Sequence, residues 1–235
     1  MKIIFYLGKG FWDLGHKLFR TTPETFPVRF LAGDVFDDAQ FSYAAPAPCS
    51  PPPPIASVNT LTELRGHVSV ILASSLFDVF NEEKQFELGK YLAALLDPRP
   101  GSIIFGSQGG MPLKGEHPGI SSKMFCHSPE SWTQLWEEQI FEKGQVKVNA
   151  VLREMNMATE RVGGLVSIEE GTKFYALFWS VERLRGRCVS MYECGIVIQE
   201  PKICVLSTCN SPSGLFFGSR IVRHLDPLPS HAPDD

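Results

Sequence analysis

The chain has 235 residues, 43% of them hydrophobic and 20% charged, and a formal net charge of −4 at pH 7. That profile fits a globular protein with a sizeable core and excludes a disordered chain. The acidic balance, with no basic stripe, argues against a nucleic-acid binder, and no uninterrupted apolar run approaches the ~20 residues that span a bilayer.

The opening segment, MKIIFYLGKG, carries one lysine and about six apolar residues before Lys9, short of the ~7–15 of a secretory core, so a cytoplasmic protein is expected. Six cysteines are present, four of them (Cys188, Cys194, Cys204 and Cys209) late in the chain. No CxxC pair occurs, so reduced thiols are expected and no metal site.

Taken in order, residues 11–20 (FWDLGHKLFR) space Phe11, Leu14 and Leu18 as a helix would. Residues 28–34 (VRFLAGD) read as a strand ending in a turn. Residues 44–54 (AAPAPCSPPPP) hold four consecutive prolines, which suit neither a helix nor a central strand, and mark a stiff surface insertion. Residues 67–74 (HVSVILAS) and 101–107 (GSIIFGS) are strands apolar on both faces, as in a parallel sheet covered by helices. Between them Asn81 is placed to cap a helix with Glu82 and Glu83 in its first turn. Leu88, Leu92, Leu95 and Leu96 give that helix one apolar face. Ser128-Pro129 starts a further helix, whose Trp132, Leu135, Trp136 and Ile140 form an apolar face that Gly144 ends. Residues 146–152 and 173–181 are strand-like with no helix between them, so they read as an antiparallel hairpin. From 184 to 235 short apolar pieces (GIVIQ, ICVLS, GLFFGS) alternate with Gly, Pro, Ser and Cys, and an irregular or disordered tail is expected. The sum is an α/β chain: a doubly wound sheet over 1–183, ending in an antiparallel β-hairpin, with ligands expected at the carboxyl ends of its strands.

The segments FWDLGHKLFR, FLAGDVFD, VSVILASSLFDVFNEEKQ, DPRPGSIIFGSQGG, MFCHSPESWTQLW, VKVNAVL and GTKFYALFWSVERL follow one another from about residue 11 to residue 184. Together they resemble the small fungal S-adenosylmethionine-dependent methyltransferases of class I, from secondary metabolism, which methylate carboxyl groups of meroterpenoid and polyketide intermediates. The resemblance implies a Rossmann-like sheet, S-adenosyl-L-methionine as cofactor, a small carboxylic acid as substrate and a homodimer as assembly, with no nucleic-acid or membrane partner. It implies that Asp34 contacts the adenine, with Val35 and Phe36 lining its slot, and that Ala73 and Ser74 end the strand facing methyl donor and acceptor. It makes His127 and Ser128, before a helix N-terminus, candidates for the acceptor's carboxylate. Each has a plainer reading: a turn aspartate at Asp34, a satisfied histidine at His127, a cap at Ser128. Glycines in residues 107–110 (SQGG) let backbone approach a ligand or simply turn the chain.

The chain also departs from that family. Where the family tends to carry histidine, this chain has Asp78. The position of the acid that would hold the ribose hydroxyls falls near Tyr6 and Leu7, where there is no acid. LGKG does not replace the glycine-rich turn, having one strand's worth of residues before it and no second strand with an acidic end after it. The sheet is therefore expected to be incomplete at its N-terminus, with both ends reading as a truncated or mis-joined frame. The alternative to an active enzyme is a non-catalytic homologue serving as a partner subunit or an inactive remnant. No catalytic residue is assigned.

Overall fold

Apolar runs in five separate stretches of sequence lie side by side as parallel strands, and a long hairpin extends them. The computed structural model describes residues 2–6, 9–43, 51–117, 124–155, 173–185 and 203–207. Its strands are β1 (Lys2–Tyr6), β2 (Arg29–Ala32), β3 (Val70–Ser74), β4 (Ile103–Gly110), β5 (Gly115–His117), β6 (Met124–Cys126), β7 (Val146–Met155), β8 (Phe174–Arg183) and β9 (Ile203–Ser207). Its helices are α1 (Lys9–Phe19), α2 (Glu82–Leu95) and α3 (Pro129–Gln134). Seven strands form one sheet in the order β2-β1-β9-β3-β4-β8-β7, and β5 and β6 pair apart from it. The contacts from β2 through β4 are all parallel, whereas β8 runs antiparallel to both β4 and β7. This mixed α/β architecture, a largely parallel sheet with an antiparallel hairpin, is consistent with a methyltransferase fold.

Local chemistry accounts for the helices. Asn81 is extended and its side chain accepts from the Lys84 N–H at 2.9 Å, satisfying one of the first-turn donors that a helix leaves open. Leu88, Leu92 and Leu95 then point from α2 into the core with no exposed surface, each burial contributing roughly 1.5–3 kcal/mol. Ser128 caps α3 with a reciprocal bond to Ser131. The helix foreseen from Ser128 to Gly144 loosens after one and a half turns into a π-helical turn, Leu135–Ile140, and ends before Gly144, which takes φ +81°. Trp132 and Trp136 are fully buried core residues. On α1, by contrast, Leu14 and Leu18 are more than half exposed, while Trp12 stacks on Phe30 at 5.3 Å between centroids.

The proline-rich insertion is described only from residue 51, where it leads irregularly into a single helical turn at Ile55–Ser57. Within the tail expected to be irregular, residues 203–207 form β9, so the expectation is corrected there. ICVLS is apolar and β-branched enough to pair on both sides, and only five residues long, so no periodicity marked it. The rest of 186–235 lies outside the described residues.

Candidate functional site

Parallel strands bring their carboxyl ends to one edge of a sheet, and loops leave from that edge. The edge here runs from Ala32 through Tyr6 and Ser207 to Ser74. Ser74 and Ser107 meet there, their hydroxyls 2.8 Å apart. The chain then reverses at Ser75, which has φ +51° and donates its N–H to the Ser107 carbonyl at 2.7 Å. The close approach needs glycine at 106: a Cβ there would lie 1.9 Å from the Ala73 carbonyl oxygen.

Just beyond this turn, Asp78 reaches across to β4. Its Oδ1 accepts from the Gly109 N–H at 2.7 Å, and the Ser75 side chain donates to it as well. Both bonds favour the ionised form, yet burial dominates and pushes the carboxyl up from 3.8 to about 6. The Cys126 thiol next to it is pushed up to about 12, first by burial and then by the Asp78 charge. His127 follows, with burial pulling its imidazole down to about 4, so it is neutral at pH 7. Its Nδ1 pairs with the Ser131 hydroxyl at 2.9 Å, while Nε2 is buried with no hydrogen-bond partner among the described residues.

Those residues singled out from sequence that the structure describes fall along this edge in four groups. Asp34, Val35 and Phe36 follow β2, where Asp34 Oδ1 accepts from the Phe36 N–H at 2.9 Å, an Asx turn that leaves the residue exposed. Val35 is buried in the core, and Phe36 packs edge-on against Phe80 with its centroid 5.1 Å away. Tyr6 ends β1 and Leu7 lies outside the described residues. Ala73 and Ser74 end β3, with Ala73 fully buried. His127 and Ser128 sit beyond β4, where Met111 N–H donates to the His127 carbonyl at 3.1 Å. Asp34 and Ser74 are separated by three strand spacings, about 14 Å, so the structure aligns the groups along one edge without bringing them into contact. Sequence reasoning singled out Asp78 and, separately, the glycines of 107–110, but not the bond between Asp78 and Gly109, thirty-one positions on; no local signal pairs them.

For an adenosyl group, the residues fit at one end. Asp34 offers an exposed carboxylate to an exocyclic amine, beside the partly buried Phe36. At the other end β1 closes on Tyr6, not on a carboxylate. Among the described residues no group of three or more His, Cys, Asp or Glu side chains is placed to hold a metal ion, and no helix is long and apolar enough to cross a membrane.

The chain is similar to fungal methyltransferases. It is 33% identical over 140 residues to O-methyltransferase phiE of a fungal species, covering 59% of this chain and 40% of that protein. It is 27% identical over 164 residues to Asnovolin E/Chermesin D methyltransferase nvfJ of Aspergillus novofumigatus, covering 67% and 51%. It is 26% identical over 136 residues to methyltransferase adrK of Penicillium rubens, covering 57% and 42%. The chain thus matches between 40% and 51% of the length of these relatives. No protein-family model matches it. These similarities support a fungal methyltransferase class and make a transferase plausible.

Proposed function

We propose that this chain works as an S-adenosyl-L-methionine-dependent O-methyltransferase that methylates a carboxyl group of a fungal meroterpenoid or polyketide intermediate. The observation that carries this reading is the 33% identity over 140 residues to an O-methyltransferase, on a largely parallel sheet, whose ligands are expected at the carboxyl ends of the strands. The reading includes a Rossmann-like class I sheet, a cytoplasmic homodimer and a small carboxylic acid as the only other partner.

When bound, the cofactor supplies an electrophilic methyl on a sulfonium. The chain's own residues supply position. Asp34 accepts from the adenine amine, with Val35 and Phe36 as the apolar floor beneath it. Ala73 keeps the end of β3 narrow, and Ser74 with Ser107 offers paired hydroxyls where donor and acceptor meet. His127, neutral and with an unpartnered Nε2, donates from Nε2–H to the acceptor's carboxylate, and Ser128 fixes His127 through the capped turn. A carboxylate nucleophile is already ionised at pH 7, so no strong base is required. The rate then comes from alignment and exclusion of water.

One observation favours a second reading. The acid that would hold the ribose is expected near Tyr6 and Leu7, where the sequence has none, and losing two charge-assisted bonds costs on the order of 3–6 kcal/mol, or two to four decades of affinity. In that reading the chain is a non-catalytic homologue that partners an intact subunit. Calorimetry with S-adenosylmethionine, NAD and ATP, followed by transfer of labelled methyl to a small carboxylic acid, tests both. Selective binding of S-adenosylmethionine with turnover is expected. Weak or absent binding of S-adenosylmethionine, with no turnover, supports the second reading, and preference for NAD or ATP overturns the cofactor assignment.

A further inference from the structure

The centre of the sheet is built from the far end of the chain. β9 lies between β1 and β3 and is parallel to both. Its register is in phase on the two sides: Ile203 faces Lys2 and Val70, Cys204 faces Ile3 and Ile71, Val205 faces Ile4 and Leu72, and Leu206 faces Phe5 and Ala73. The three strands have five residues each, so β9 fills the slot from end to end. Without it, β1 and β3 would face each other across two strand spacings, about 9.6 Å, too far for any direct ladder. Both would then carry unpaired N–H and C=O groups at the middle of the molecule.

Chain direction permits this closure within one molecule. Arg183, at the end of β8, is next to Glu182, which pairs with Ile103 at the start of β4. Ile203, at the start of β9, pairs with Val70 at the start of β3. The end of β8 and the beginning of β9 thus lie at the same edge, three strand spacings or about 14 Å apart. The chain between 185 and 203 can reach several times that distance at ~3.3–3.6 Å per residue. No crossing from one edge to the other is needed.

In an open parallel sheet the ligand crevice forms where the strand order reverses. Here β1 and β2 lie to one side of β9, and β3 and β4 lie to the other. We infer that β9 is the keystone of the sheet, supplied in cis by the C-terminal segment, and that the crevice between the ends of β9 and β3, at Ser207 and Ser74, exists only while residues 203–207 occupy that slot. The ligand for this crevice rests on the methyltransferase reading, whereas the strand placement does not. The segment is a structural half of the site rather than an appendage to it.

Hydrogen exchange on the full chain, read by mass spectrometry, tests this without any ligand. Amides of 203–207 are expected to exchange about a hundredfold or more slower than unstructured chain, at a level matching 70–74, and to do so equally in concentrated protein and after dilution to the monomer. Exchange of 203–207 at the unstructured rate, with 70–74 protected, overturns the inference. Protection that appears only in a dimer and fades on dilution also overturns it, since a second copy would then supply the strand. Val205→Pro removes one ladder N–H and is expected to speed exchange in 2–6 and 70–74 about tenfold or more while leaving β7 and β8 protected; no change in 2–6 and 70–74 overturns the keystone role. Calorimetry with S-adenosylmethionine on the unaltered protein separates the two ideas: slow exchange at 203–207 without binding supports the keystone and sinks only the methyl-donor reading.

Discussion

Asp78 and Gly109 join the ends of two neighbouring strands through a single 2.7 Å bond from backbone N–H to carboxylate. Cys126 and His127 lie close by on the adjoining segment, and burial acts on Asp78 and His127 with opposite consequences. Asp78 is raised from 3.8 to about 6. Between those values the folded state holds more protons than the unfolded one, so its contribution to stability falls as pH rises through about 6. His127 is lowered from 6.5 to about 4. Here the unfolded state holds more protons, so stability rises with pH from about 4 and is complete above 6.5. Each effect amounts to about 3 kcal/mol, and in the native protein they largely cancel between pH 4 and 6. Asp78→Asn is expected to expose the rising slope, and His127→Gln the falling one. Urea denaturation at pH 4, 5, 6 and 7 checks this; profiles parallel to that of the unaltered protein would show that neither group is buried as described.

Gly106→Ala is expected to destabilise the protein by about 3 kcal/mol or more. The added methyl would meet the Ala73 carbonyl at 1.9 Å, and backbone cannot swing aside as a side chain can. The Ser74–Ser107 contact one residue further along would open with it. Chemical denaturation measures the loss, and a change below about 0.5 kcal/mol would mean that β3 and β4 lie further apart.

Asp34→Asn is expected to weaken S-adenosylmethionine binding roughly ten- to hundredfold with stability unchanged. Asparagine keeps an oxygen for the Phe36 N–H, so the Asx turn survives and only the charge is lost. Titration calorimetry reads the affinity and thermal melting reads the fold. Equal affinity in both proteins would place the adenine elsewhere.

Cys126 is expected to resist iodoacetamide at pH 8 in the folded protein and to react once urea unfolds it. It has no exposed surface, and its thiol is pushed up to about 12, so almost none is the reactive thiolate. Peptide mapping after brief labelling distinguishes it from the other cysteines. Rapid native labelling at Cys126 would mean that β6 opens readily.

Elements governed by neighbours in sequence are legible in the sequence itself. Asn81 with Glu82 and Glu83 announced α2, the double-faced apolar runs announced β3 and β4, and the lack of a crossover helix announced the pairing of β7 with β8. What escaped depends on distant partners. β5 and β6 are three residues each, too short to show alternation. Five residues of ICVLS carry no more signal than the apolar fragments around them until β1 and β3 are seen to leave a gap of that width. At the site, the residues at strand ends could be placed from the strands themselves. The bond from Gly109 to Asp78 could not, nor could the depth of His127, because each is set by packing between segments remote in sequence.

The position of β9 also sets a timetable. Ile3 pairs with Cys204, a contact about two hundred residues long, and pairings of that range are slow to form. As the chain leaves the ribosome, β1 through β8 are all complete before the strand that joins them exists. For about one to five seconds, at about 5–20 residues per second, two finished pieces of sheet must wait with bare edges turned toward water. Yield on expression should therefore depend on how quickly residues 203–207 arrive and on chaperones that shield the edges, more than on the stability of the finished protein.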